Sequence, residues 1–243
     1  MADPVYTLTL FRFDPAEDAA PRYQDFEVEI PGNLTVLQAL LKIQDTQDGR
    51  LAFRFACRGA VCGSCGMSVD GRLTLACRTP LSAFPTRRLV VEPLPNLDVV
   101  RDLLVDMEPF WRSYEAVRPW LHAAAALPER EQPVDEERMR RIDQFVNCVL
   151  CACCWGACPV AGRNNGYLGP AALAKLFRFV DDPRDTRSPA SLAVADAESG
   201  VWGCDGVYAC IKHCPKEVRP YDGINGLRRR LLADRLGFGR RRA

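Results

Sequence analysis

The sequence predicts an α+β chain of two domains, a small mixed domain over residues 1–97 and an all-helical domain over 98–243. Three observations predict it. Residues 5–13 are rich in β-forming side chains, and so are 24–30, which alternate apolar and polar with the period of a strand with one buried face. Beyond Leu97 the apolar residues recur at helical spacing. Within the helical domain the same cysteine motif occurs twice, as Cys148–Pro159 and Cys204–Pro215.

The elements follow in order. The Asp-, Ala- and Pro-containing link between the first two strands reads as a hairpin connection, and Pro31-Gly32 ends the second strand. Val36, Leu37, Leu40 and Leu41 then stand at helical spacing, so 35–43 is a short helix on the sheet. Phe53-Arg-Phe55 is extended and runs into Cys57. Met67–Val69 and Arg72–Leu75 flank Asp70-Gly71, a two-residue hairpin signal. Arg88–Glu92 supplies the last strand before Pro93 and Pro95. Helices are expected over Val99–Met107 and Pro109–Leu121, with an Ala run at 123–126 and an exposed connection over 127–134. Asp135–Phe145 begins acidic and turns basic, matching a helix dipole. Another helix runs from Gly169-Pro170 through Phe179, a polar loop follows over 181–190, and helices flank the final motif.

Composition narrows the function. With 243 residues, 48% hydrophobic and 26% charged, the chain is an ordinary folded protein, and a net charge of +1 speaks against bulk nucleic-acid binding. Twelve cysteines would suit a disulfide scaffold in a secreted protein. The N-terminus shows no basic start followed by an apolar core, and the cysteines cluster in three groups, so metal in a reducing compartment is the expectation. Gln144 to Gly162 is free of charge, but five cysteines, a proline and two glycines make it poor material for a lipid-facing span.

The cysteine spacings carry the chemistry. With Cys153 left out, Cys148, Cys151, Cys154 and Cys158-Pro159 form C-x2-C-x2-C-x3-C-P, the bacterial iron–sulfur pattern in which the fourth cysteine serves the other cluster. The second copy has Cys204, Cys210 and Cys214-Pro215, with Val207 where the second cysteine should stand. Crossing the fourth ligands gives Cys148, Cys151, Cys154 and Cys214 to a [4Fe–4S] cluster. Cys158, Cys204 and Cys210 remain for the other, and three thiolates with an apolar fourth corner suit [3Fe–4S]. The third group, Cys57, Cys62, Cys65 and Cys77, has the C-x4-C-x2-C…C spacing of a plant-type [2Fe–2S] site. Glycines at 59, 63 and 66 let its backbone fold tightly, with N–H groups toward the sulfurs. A zinc site is the alternative for Cys62-x2-Cys65, although Cys77 lacks the neighbour a second zinc half would need. Cys153 is left over, as a small buried residue.

Three cluster types and no nucleotide fingerprint describe an electron wire, with no catalytic residue of its own. Taken with Leu168-Gly-Pro-Ala-Ala, Arg178-Phe, Asp182-Pro-Arg-Asp, Gly200-Val-Trp-Gly-Cys204 and Cys214-Pro-Lys216, the motifs resemble the iron–sulfur subunit of succinate dehydrogenase and fumarate reductase, respiratory complex II. The resemblance covers essentially the whole chain. It implies a β-grasp plant-type ferredoxin domain followed by an all-α, bacterial-ferredoxin-like domain. It also implies a flavoprotein partner with FAD, and a membrane-anchor cytochrome b subunit that binds quinone and often haem b. Electrons would pass from FAD through the three clusters to quinone, with the chain held peripherally on the cytoplasmic face of the membrane. The same wire run in reverse, in a quinol:fumarate reductase, and a free multi-cluster carrier are the alternatives.

One departure bears on the acceptor. Ubiquinone-using relatives usually have Trp where Arg163 stands and His where Asp205 follows Cys204. Their absence points to menaquinone, with Pro159 and Val207 at apolar positions matching quinone or cluster contacts. The arginine-rich end (Arg228–Arg230, Arg235, Arg240–Arg242) reads either as a lipid or partner surface or as a solvated helix face.

Overall fold

The structure is a computed structural model and describes residues 3–123 and 129–237. It divides into two compact units, Met1–Met107 with Val149–Ala157, and Glu108–Cys148 with Cys158–Ala243.

In the first unit, β1 (Val5–Arg12) and β2 (Arg22–Glu29) form the expected antiparallel hairpin, with Val5 opposite Glu29. Their alternation turns Leu8, Leu10, Phe26 and Val28 into one buried face. Helix α1 (Val36–Thr46) starts at Thr35, whose Oγ1 accepts from the Gln38 N–H at 3.3 Å while Gln38 Oε1 accepts from the Thr35 N–H at 2.9 Å. This reciprocal cap satisfies two donors that a helix start leaves unpaired. Val36, Leu37, Leu40 and Ile43 join the core with the inward residues of the sheet. β3 (Gly66–Val69) and β4 (Arg72–Leu75) turn at Asp70 and Gly71, whose φ values of 47° and 72° are those of a two-residue hairpin. β5 (Arg88–Glu92) lies parallel to β1 and antiparallel to β3, giving the order β2-β1-β5-β3-β4. Phe53 and Phe55 stack on each other, and their segment pairs with no strand.

The helix expected over Val99–Met107 is instead a hairpin, β6 (Val99–Arg101) and β7 (Leu104–Val105). Asp102 occupies its turn at φ 46° and is buried. Its carboxylate accepts from the N–H groups of Phe13 (3.1 Å) and Ala52 (3.0 Å) and from Arg12 Nε (3.0 Å). Arg12 is buried as well and reaches Asp48 at 2.7 Å. A helix would withdraw that acceptor from three donors, each costly to leave unpaired. The first unit accordingly runs on to Met107, past the boundary expected at Leu97. It also takes in Val149–Ala157, with the single turn α4 (Cys153–Gly156).

The second unit is helical. α2 (Glu108–Ala116) is shorter than expected because Arg118 takes φ 48° ahead of Pro119, where a helical conformation is disfavoured. Part of the Ala run and of the 127–134 connection lies outside the described residues, as do Arg240–Arg242. α3 (Glu136–Val146) is capped by Asp135, whose side chain accepts from the Arg138 N–H at 2.9 Å. The short α5 (Pro159–Arg163) precedes α6 (Gly169–Val180). A turn, α7 (Ala209–Lys212), and α8 (Pro220–Arg235) close the chain. α6 and α8 meet at glycine: a Cβ on Gly226 would lie 2.3 Å from the Phe177 ring. The 181–190 loop is polar, but Asp182, Asp185 and Arg187 are buried in it. Asp182 accepts from Arg184 Nη2 at 2.7 Å, and Asp185 from Arg187 Nε at 2.9 Å and the His122 N–H at 3.1 Å.

Candidate iron–sulfur centres

The loop from Cys57 to Cys65 and the residue Cys77 bring four thiols together in the first unit. Arg58, Ala60 and Gly63 all have positive φ (55°, 55° and 73°), which turns successive N–H groups toward the sulfurs. Cys57 Sγ accepts from the N–H groups of Gly59 (3.4 Å), Val61 (3.3 Å) and Cys62 (3.3 Å). Cys77 Sγ accepts from Ala60 at 3.3 Å and Cys65 Sγ from Cys77 at 3.5 Å. Cys62 Sγ accepts from the Cys57 N–H at 3.5 Å and from Ser64 Oγ at 3.2 Å. The Cys57 N–H, then Ser64, bring the Cys62 thiol down to about 6, whereas burial pushes Cys65 up to about 12. Cys57 and Cys62 are exposed, Cys65 and Cys77 buried. Among the described residues no three His, Cys, Asp or Glu side chains converge as they would on a single metal ion. A cradle of amide donors around sulfur fits a group with net negative charge on sulfur, as a [2Fe–2S] cluster has.

Two of this loop's glycines do more than supply flexibility. A Cβ on Gly63 would lie 2.2 Å from Val149 O, and one on Gly66 would lie 2.6 Å from Cys151 O. The second cysteine segment thus passes directly over the first loop, within the same unit. Trp155 Nε1 donates to Asn96 O at 3.1 Å, and Asn96 Nδ2 returns a bond to Gly156 O at 2.8 Å. Cys153, on this segment, is fully buried, its Sγ 3.8 Å from Thr74 O. Cys151 and Cys154 stand on the same segment, and a hydrogen bond from the Cys153 side chain lowers the Cys151 pKa.

In the second unit Cys148 and Cys214 both pack against Phe145, Ala174 and Val218. Cys158, Cys204 and Cys210 line one recess together with Val207 and Tyr167. Burial pushes Cys158 up and Cys210 to about 12. Pro159 is exposed and opens α5, while Val160 lines the recess.

The backbone repeats with the motif. Leu150 and Ala152 have φ 56° and 59°, and Gly206 and Tyr208, at the same places in the second copy, have 71° and 58°. Each left-handed residue, Ala152 and Tyr208, then starts a helical turn. Val207 therefore stands in the register of Cys151. Arg228, indistinguishable by sequence from the other arginines of the C-terminal run, reaches back from α8 to donate to Val201 O (2.6 Å) and Cys204 O (2.7 Å). Arg230 pairs with Asp234 and Arg235 with Asp196.

The chain is similar to known proteins along most of its length. A family model described as a 2Fe-2S iron–sulfur cluster binding domain matches residues 7–112, and a 4Fe-4S dicluster domain matches 144–218. The succinate dehydrogenase iron–sulfur subunit of Coxiella burnetii is 34% identical over 94% of this chain and 97% of its own. The fumarate reductase iron–sulfur subunit of Haemophilus influenzae is 35% identical over 91% of each. The chain belongs to the succinate dehydrogenase/fumarate reductase iron–sulfur subunit family. In structure this family member is similar to a chain of the Mycobacterium smegmatis Sdh1 complex, with a TM-score of 0.84 at 27% identity, covering 97% of this chain and 98% of that one. The matched ranges enclose all twelve cysteines, four in the first and eight in the second. Val207 stands where the first copy of the motif has Cys151.

Proposed function

We propose that this subunit relays single electrons from an FAD-bearing flavoprotein partner to a membrane quinone, as part of a succinate:quinone oxidoreductase. The observation that carries the proposal is Val207 in the register of Cys151, which leaves three thiols in a recess of their own. Cys57, Cys62, Cys65 and Cys77 are the residues that would hold [2Fe–2S]. Cys148, Cys151, Cys154 and Cys214 would hold [4Fe–4S], and Cys158, Cys204 and Cys210 would hold [3Fe–4S]. When bound, these groups supply one-electron transfer in that order from FAD to quinone.

The chain's own residues set the surroundings. Amides of the Cys57–Cys62 loop donate to sulfur and favour its negative charge, while exposed Cys57 and Cys62 leave one edge open toward a flavoprotein partner. Arg228 ties α8 to the Cys204 loop through the carbonyls of Val201 and Cys204. Val207 and Pro159, both exposed near the recess, offer apolar surface to a quinone, and menaquinone is the acceptor favoured by Arg163 and Asp205. Among the described residues no helix is long and apolar enough to cross a membrane. We assign attachment to a membrane-anchor subunit of the cytochrome b type, on the cytoplasmic face, by the family resemblance. The sheet with α1 is read as a β-grasp ferredoxin domain, and the second unit as a bacterial-ferredoxin-like one.

Low-temperature EPR on the anaerobically purified complex tests this. A [3Fe–4S] signal is expected in the oxidised complex and is expected to vanish in Val207→Cys, with [2Fe–2S] reduced by added succinate. An EPR-silent oxidised complex would overturn the assignment of the three-thiol recess.

A further inference from the structure

Tyr167 is among the largest fully buried side chains of the protein, at 0% exposure, and its hydroxyl makes no formed hydrogen bond. A buried phenol without a partner costs free energy, so native proteins seldom keep one without use. Its position is tightly set. The Tyr167 N–H donates to Asn164 O at 3.0 Å, and the next residue, Leu168, donates to Ser199 O at 2.8 Å. The ring lies over Gly203, where a Cβ would come within 3.2 Å of it. It lines the recess of Cys158, Cys204 and Cys210, the three thiols of the second motif's own site. A phenol carries its proton at neutral pH and so presents an O–H donor.

We propose that Tyr167 Oη donates a hydrogen bond to sulfur at the three-thiol centre and thereby raises its reduction potential. The inference rests on the reading of Cys158, Cys204 and Cys210 as cluster ligands. One-electron reduction adds a negative charge to the centre, and a donor aimed at sulfur stabilises the reduced state more than the oxidised one. Tyr167 is thus a positioning and tuning residue, whose effect falls on potential rather than on assembly. Nothing in the sequence marks it beyond an aromatic beside Leu168-Gly169-Pro170.

The test is an EPR-monitored redox titration of the intact complex, comparing wild type, Tyr167→Phe, and protein with 3-fluorotyrosine placed at 167 alone. Removing the hydroxyl is expected to disfavour reduction about tenfold, a midpoint about 59 mV lower for a one-electron couple. Fluorination makes the phenol a stronger donor and is expected to move the midpoint the other way. Because fluorotyrosine keeps ring and hydroxyl, it decides the matter even if Tyr167→Phe fails to assemble. Midpoints within threefold of wild type in the fluorinated protein, with the [3Fe–4S] signal intact, would overturn the role of Tyr167. Absence of that signal from the wild type would instead overturn the ligand assignment.

Discussion

Arg163 Nη2 donates to Asp205 Oδ2, joining α5 to the residue after Cys204. These are the two positions at which the chain departs from the Trp and His expected of ubiquinone-using relatives. They depart together, as a charge pair. Asp205 lines the recess that holds Cys158, Cys204 and Cys210. With side chains 66% and 49% exposed, the pair contributes only about 0–1 kcal/mol to stability. Its importance is therefore sought in what the rim of the recess will accept.

The purified complex is expected to reduce naphthoquinone analogues in preference to ubiquinone analogues. The double variant Arg163→Trp/Asp205→His is expected to shift that preference toward benzoquinones several-fold, with little change in thermal stability. Steady-state kcat/KM for the two quinone series checks both. Efficient ubiquinone reduction by the wild type, with naphthoquinones ignored, would refute the menaquinone assignment.

Two adjacent cysteines separate packing from ligation. Cys153 is fully buried near Thr74 O, while Cys154 occupies a place in the ligand spacing. Cys153→Ala is expected to keep wild-type iron content and lose about 1 kcal/mol of stability, the scale of an ordinary buried substitution. Cys154→Ala is expected to lose iron. Iron analysis and visible absorbance on the two proteins decide it, and equal iron loss would promote Cys153 to a ligand.

Gly63 and Gly71 have the same backbone conformation, φ +73° and +72°, in different surroundings. A Cβ on Gly71 meets nothing within 4 Å, so Gly71→Ala bears only the left-handed strain of about 1–2 kcal/mol. On Gly63 it would lie 2.2 Å from Val149 O. Gly63→Ala is expected to prevent the 149–157 segment from seating, seen as lost soluble yield and lost [2Fe–2S] absorbance. Equal melting temperatures for the two variants would contradict this.

This contrast shows what is legible in the sequence. Local signals read correctly: the strands β1 and β2, the Asp70-Gly71 turn, and the acidic start of α3 at Asp135. What fails to read is decided by residues far apart in the chain. Val99–Val105 has apolar residues that suit a helix or a hairpin, and only the partners of Asp102 (Arg12, Phe13 and Ala52) choose between them. Gly63 and Gly66 look like flexible loop residues, but their need for a bare Cα comes from Val149 and Cys151. Arg228 resembles its solvated neighbours until α8 brings it to the Cys204 loop.

The same long-range dependence makes Asp182 a test of stability against pH. Burial alone would raise its pKa, but hydrogen bonds from the Arg184 side chain and N–H outweigh burial and hold it below the ordinary carboxylate range. A carboxyl group whose folded pKa is depressed adds stability above its unfolded value, near 3.9, and that stability is lost as pH falls through the lower folded value. Asp182→Asn removes the charge that Arg184 and Arg178 face. At pH 7 it is expected to destabilise the protein by about 1.5–3 kcal/mol, the range for a hydrogen bond to a charged group. As pH falls below about 4 the gap between variant and wild type is expected to narrow, because the wild-type carboxylate becomes protonated too. Thermal unfolding followed by circular dichroism from pH 7 down to pH 2 measures the gap directly. A gap that stays constant across that range would show that Asp182 is not the titrating group.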